Sequence, residues 1–99
     1  MSYVQEKLYE ATSCLVTEGP LRKRLADAAT ILFRLEADDF PDGDNAKAFE
    51  RIYHDLTHVE AVPGDEGNTD ATTKRLSDED ARRIAIGILG LYHRSMRGD

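Results

Sequence analysis

The chain has 99 residues, 40% of them apolar, with four Tyr, three Phe, no Trp and a formal net charge of −6 at pH 7. A chain this short buries only about 60–65% of the surface its unfolded form exposes, which leaves room for one core, and a single domain over residues 1–99 is expected. The longest near-continuous apolar run, Ile84 to Tyr92, has nine residues, whereas a membrane-spanning helix takes about 20, so no membrane association is expected.

The charge is unevenly spread. Residues 1–37 balance five acids with five bases, residues 38–73 carry ten acids and two bases, and residues 74–99 carry four acids and six bases. An acidic chain repels a phosphate backbone overall, and nucleic acid is not the expected partner. The single cysteine, Cys14, has no internal disulfide partner, and the first residues show neither a basic leader nor an apolar signal core, which predicts a cytoplasmic protein.

Hydrophobic periodicity predicts an all-α fold, a compact bundle of four main helices over about 2–18, 20–37, 45–60 and 78–97. The first opens on Ser2-Tyr-Val-Gln5, a capping box, and carries Val4, Leu8, Ala11 and Leu15 on one stripe. Gly19, suited to a left-handed C′ residue, and Pro20 end it. Pro20 also suits the first position of the second helix, whose stripe is Leu21, Leu25, Ala28, Leu32 and Leu35, and so short a link predicts an antiparallel hairpin. The segment ADDFPDGDN reads as a loop anchored by Phe40.

The third helix starts near Asp44 or Asn45 and buries Phe49, Ile52, Tyr53, Leu56 and Val59. PGDEGNTD, from Pro63 to Asp70, reads as a mobile acidic connection, and ATTKRL after it as one added helical turn. The last helix has the clearest start: Ser77 to Asp80 form an acid-rich capping box, with Leu76 and Ala81 as its hydrophobic staple. Ala81, Ile84, Ala85, Ile88, Leu91, Tyr92 and Met96 face its core. Gly87 and Gly90 each disfavour helix by about 1 kcal/mol relative to Ala, which points to a backbone approaching closely, from within the bundle or from a second copy in a homodimer through that face.

Three groups invite a chemical reading. His54 and His58, in HDLTH, stand four apart as zinc ligands do in HExxH, but they fall opposite the apolar stripe of their helix, Asp55 replaces Glu, and no third ligand stands out by spacing. Asp38, Asp42 and Gly43 fit positions of an EF-hand loop, yet Phe40 and Phe49 stand where oxygen ligands are needed. No metal or cofactor is expected. Arg22, Lys23 and Arg24 crowd the first turn of a helix, where the dipole disfavours cations. With Lys74 and Arg75 they form the expected binding patch for an acidic partner.

Arg51 and His58, separated by six residues, resemble the R-x(4–6)-H motif of HEPN-type ribonucleases, small helical domains in which Arg steadies a phosphate and His assists transfer of the 2′-hydroxyl proton. Ile52 stands where that family carries a polar residue. End to end, TEGPLRKRL, ADDFP, FERIYHDLTH and TDATTKRLSDEDARRIAIGILGLY resemble a group of small bacterial proteins of uncharacterised function, from which PGDEGNTD departs. That resemblance draws attention to Arg22, Arg24, Phe40, Pro41, Thr72, Thr73 and Arg75. The expected role is a cytoplasmic protein–protein interaction or regulatory module, in a bacterial or phage setting and without catalysis. A HEPN-like ribonuclease using Arg51 and His58 is the first alternative, and a zinc hydrolase using His54 and His58 the second.

Overall fold

A computed structural model describes residues 2–58 and 67–97. Among them the fold is all-α: α1 (Tyr3–Cys14), α2 (Leu21–Leu32), a single 3₁₀ turn (Ala37–Asp39), α3 (Gly43–Thr57), α4 (Asn68–Arg75) and α5 (Asp78–Arg97). The radius of gyration, 13.0 Å, is that of a compact chain of this length, about 13 Å.

The helix starts follow from their caps. Ser2 Oγ accepts from the Gln5 amide at 3.1 Å while Gln5 Oε1 accepts from the Ser2 amide at 2.9 Å, the reciprocal box that opens α1. Asp42 caps α3, taking the amides of Asp44 and Asn45; this starts α3 at Gly43, slightly ahead of the expected Asp44 or Asn45. Ser77 Oγ accepts from the Asp80 amide at 3.0 Å, with Leu76 and Ala81 both buried beside it.

Helix ends depart further from the periodicity. α1 stops at Cys14 rather than near residue 18, because the amides of Leu15, Val16 and Thr17 bond three residues back instead of four. Gly19 does take a positive φ, 111°, but in the link and not at C′. Pro20 is the extended N-cap of α2, not its first helical residue. α2 gives way after Leu32 to a tighter turn in which the amides of Arg34 and Leu35 bond the carbonyls of Ile31 and Leu32, and this turn, not the helix, drops Leu35 into the core. α3 ends at Thr57 with His58 as C-cap, and Val59 lies outside the described residues. Ala71 to Arg75 of ATTKRL join Asn68 to Asp70 of the expected loop in a helix of eight residues, α4, with Leu76 as its extended C-cap, and Pro63 to Glu66 lie outside the described residues.

The core joins Val4, Leu8 and Ala11 of α1, Leu25, Ala28, Ala29 and Leu32 of α2, Phe49, Ile52 and Leu56 of α3, and Ala81, Ile84, Ile88 and Leu91 of α5. Phe40 is buried and its ring lies 5.1 Å from that of Phe49, the expected anchoring of the loop. Two expected core residues are exposed. Tyr53 is 46% accessible and leans on Phe33 at 4.6 Å, and Met96 is 38% accessible at the last turn of α5. α5 packs on α1 and α3, and Gly87 faces the Ile52 side chain, which a Cβ there would meet at 3.9 Å. That is an ordinary side-chain contact, and a Cβ at Gly90 would meet only the Arg94 side chain of its own helix, so among the described residues no backbone makes the close approach expected at these glycines.

Candidate functional site

The expected basic patch is divided among separate tasks. Arg22 Nε donates to the Leu76 carbonyl at 2.8 Å and its guanidinium pairs with Asp78 at 2.9 Å, fastening the start of α2 to the α4–α5 link. Arg24 donates to the Gly19 carbonyl at 2.9 Å and, through Nη1, to the Leu15 carbonyl, closing the carbonyl end of α1. Both cations leave the unfavourable positive end of their own helix for carbonyl oxygens elsewhere. Lys23 stays exposed, 3.5 Å from Asp27. Arg75 donates to the Ala71 carbonyl at 2.7 Å, and Lys74 lies exposed beside it on α4.

On α3, His54 and His58 are both exposed and stack on each other, ring centroids 5.8 Å apart. No cluster of three or more His, Cys, Asp or Glu is placed to hold a metal among the described residues. His58 borders a polar cleft of about 270 Å³ shared with Asp55, Thr72, Arg75, Asp80 and Arg83. Arg83 bridges it, 3.3 Å from Asp55 and 3.6 Å from Asp80. Arg51 is exposed and does not line this cleft.

Cys14 is half-buried. Burial first, then the carboxylates of Asp27 and Glu10, pushes its thiol above the ordinary range.

A different surface stands out. On α5, Ile86 is 68% and Leu89 51% accessible, and with Arg82, His93, Met96 and Arg97 they form one exposed side opposite the buried stripe Ala81, Ile84, Ile88, Leu91. Tyr92 carries this side across to α1, where its ring meets the exposed Tyr9 at 6.2 Å. Arg82 and Arg97 make no ion pair among the described residues, while Asp78, paired with Arg22, and Glu79 stand one turn before Arg82. The result is an apolar stripe with Arg82 towards one end and Arg97 towards the other. The sequence held the signal: Ile86 and Leu89 are the apolar residues of α5 that its core periodicity leaves out.

A groove of about 580 Å³ lies between the first turn of α1 (Ser2 to Gln5), the turn Asp39 to Asp42, Asn45 of α3 and Ser95 of α5. Gln5, Asn45 and Ser95 are buried polar residues, one from each of three helices. Gln5 Nε2 donates to the Ser95 carbonyl, and Arg94 Nε donates to Asn45 Oδ1, each at 3.3 Å. Ser95 Oγ is buried with no partner among the described residues, an arrangement that costs about 1–3 kcal/mol. This groove was not foreseen, although Ser95 stands seven residues after Ile88 and four after Leu91, in the middle of an apolar stripe.

Compared with family models, with curated proteins and with solved structures, the chain matches none.

Proposed function

We propose that the protein is a small protein–protein interaction module whose docking face is the outer side of α5 together with Tyr9. The observation that supports this reading is the exposed stripe itself. Isolated apolar residues on a surface need no explanation, but here four of the large exposed ones, Tyr9, Ile86, Leu89 and Met96, gather on one side of the molecule. Tyrosine, methionine and arginine are also the residue types enriched where proteins meet.

The occupant we propose is an amphipathic helix of a partner protein, apolar along one side and acidic at its edges. Its apolar side would cover Ile86 and Leu89, and its carboxylates would meet Arg82 and Arg97. The basic turn at Arg22 to Arg24, the patch expected from sequence together with Lys74 and Arg75, is a poorer candidate, because Arg22 and Arg24 hold the fold together.

Selection of a displayed library of helical peptides against the purified protein tests the reading. The expected binders carry apolar residues at helical spacing flanked by Asp or Glu, and they lose affinity at least about tenfold, some 1.4 kcal/mol, for the Ile86→Glu/Leu89→Glu variant. Binders that hold wild type and variant equally would move the site elsewhere. A dimer in sedimentation that the same variant dissolves would make a second copy the occupant instead.

A further inference from the structure

We propose that His54 and His58, on the outer side of α3, are a two-point chelate for a divalent ion of the zinc and copper class. The two positions lie one helical turn apart, where side chains on a helix surface are neighbours. α3 holds them on a fixed base: Asp42 caps its start, and Asn45, Phe49, Ile52 and Leu56 bury the opposite side. Exposed side chains so placed are free to fan apart, yet these two rings stack, with centroids 5.8 Å apart and planes inclined by 29°. Two imidazoles on one tetrahedral zinc, with Zn–N bonds of about 2.0–2.1 Å, have their centroids about 5 Å apart. A small turn of either side chain closes the difference.

The second observation is independent of that spacing. Neither imidazole has a hydrogen-bond or ion-pair partner among the described residues, although two acids lie at helical spacing from the pair. Asp55, three residues before His58, is taken by Arg83 at 3.3 Å, and Glu50, four residues before His54, is exposed and does not pair with it. Each neutral ring therefore keeps a nitrogen lone pair to give to a ligand, and imidazole suits zinc, copper and nickel. Charge does not select the ion. Lys47 and Arg51 share the exposed part of α3 with Asp44 and Glu50, two of each sign, so attraction has to come from coordination and not from the local field. That favours an ion bound by nitrogen over magnesium or calcium, which take oxygen ligands. No third His, Cys, Asp or Glu is placed to join the pair among the described residues, so two of the four positions zinc takes are open to outside donors. Two sources supply them, water or the same histidine pair of a second copy.

Calorimetric titration of the intact protein, freed of metal with EDTA, tests this. The probes are ZnCl2 and CuCl2, with MgCl2 and CaCl2 as controls. The expected result is saturable binding of both transition ions, copper the tighter, and none of magnesium or calcium. His54→Ala and His58→Ala should each weaken zinc at least about tenfold, because either change leaves a single ligand and removes the chelate. His93→Ala, which takes away the remaining histidine from another helix, should leave the affinity unchanged. Sedimentation with zinc then separates the two sources of outside donors. A monomer identifies water; a dimer that EDTA reverses and that Ile86→Glu/Leu89→Glu leaves intact identifies a second copy, independently of the α5 face. No saturation by zinc below about 1 mM, affinity unchanged in His54→Ala or His58→Ala, or an equal loss in His93→Ala would overturn the proposal.

Discussion

Arg24 and Lys23 are neighbours of the same charge with opposite consequences for the fold. Arg24 holds two carbonyls at the end of α1, so Arg24→Ala should lower stability by about 1–2 kcal/mol in urea unfolding. Lys23 has only an exposed pairing with Asp27, and Lys23→Ala should stay within about 0.5 kcal/mol. Equal losses would mean that the basic turn acts by charge alone. Composition shows three cations in a row; which of them reaches back to a carbonyl depends on where α1 ends, and no local rule fixed that. At Cys14 the raised thiol pKa keeps the nucleophilic thiolate scarce at neutral pH. Alkylation by iodoacetamide should therefore be slower than for a free thiol at pH 7, speed up as pH rises, and increase in Asp27→Asn, which removes one of the carboxylates that disfavour the thiolate.

Elements were legible where caps are local and obscure where tertiary contacts set their ends. Ser2-Gln5 and Ser77-Asp80 carry their own hydrogen bonds within four residues, reciprocal at Ser2-Gln5 and in one direction, the Asp80 amide to Ser77, at the start of α5. The ends of α1 and α2 came out short, because Leu15 to Thr17 and Arg34 to Leu35 tighten into three-residue bonding that periodicity does not sense. Tyr53 illustrates the same limit sideways: it sits at the edge of the stripe of α3, and Phe33 claims one side of its ring while the other stays wet. Ser77→Ala should cost about 1 kcal/mol by removing the cap of α5, measured as a lower denaturation midpoint. Gly87→Ala should do the reverse. A methyl there meets Ile52 at an ordinary contact distance, and the gain in helix propensity, up to about 1 kcal/mol, should raise the midpoint.

For the molecule as a whole, the acid-rich middle and the basic last helix seen in composition reappear as geography. The carboxylates of Asp39 and Asp42 edge a groove at one place, and Arg82 and Arg97 of α5 flank an apolar stripe at another. The fold class and most of the core were legible because they depend on period alone; the docking stripe was half legible, as a pair of apolar residues out of register. The groove was not legible, since Gln5, Asp39, Asn45 and Ser95 come from four separate stretches and converge only on folding. Because Ile86 and Leu89 contribute little to the core, Ile86→Glu/Leu89→Glu should leave the thermal midpoint within a few degrees of wild type, the span of about 0.5 kcal/mol in a domain of this size. A collapse of the fold would show that this side of α5 is structural.

The ring contact between Tyr9 and Tyr92 has a practical corollary. With no tryptophan to drown them, tyrosines dominate the intrinsic emission, and they are posted at different stations: Tyr3 on the groove, Tyr9 and Tyr92 on the α5 side, Tyr53 against Phe33. Replacing all but one station with phenylalanine turns the molecule into its own optical gauge, able to say which surface a visitor has reached without any attached dye.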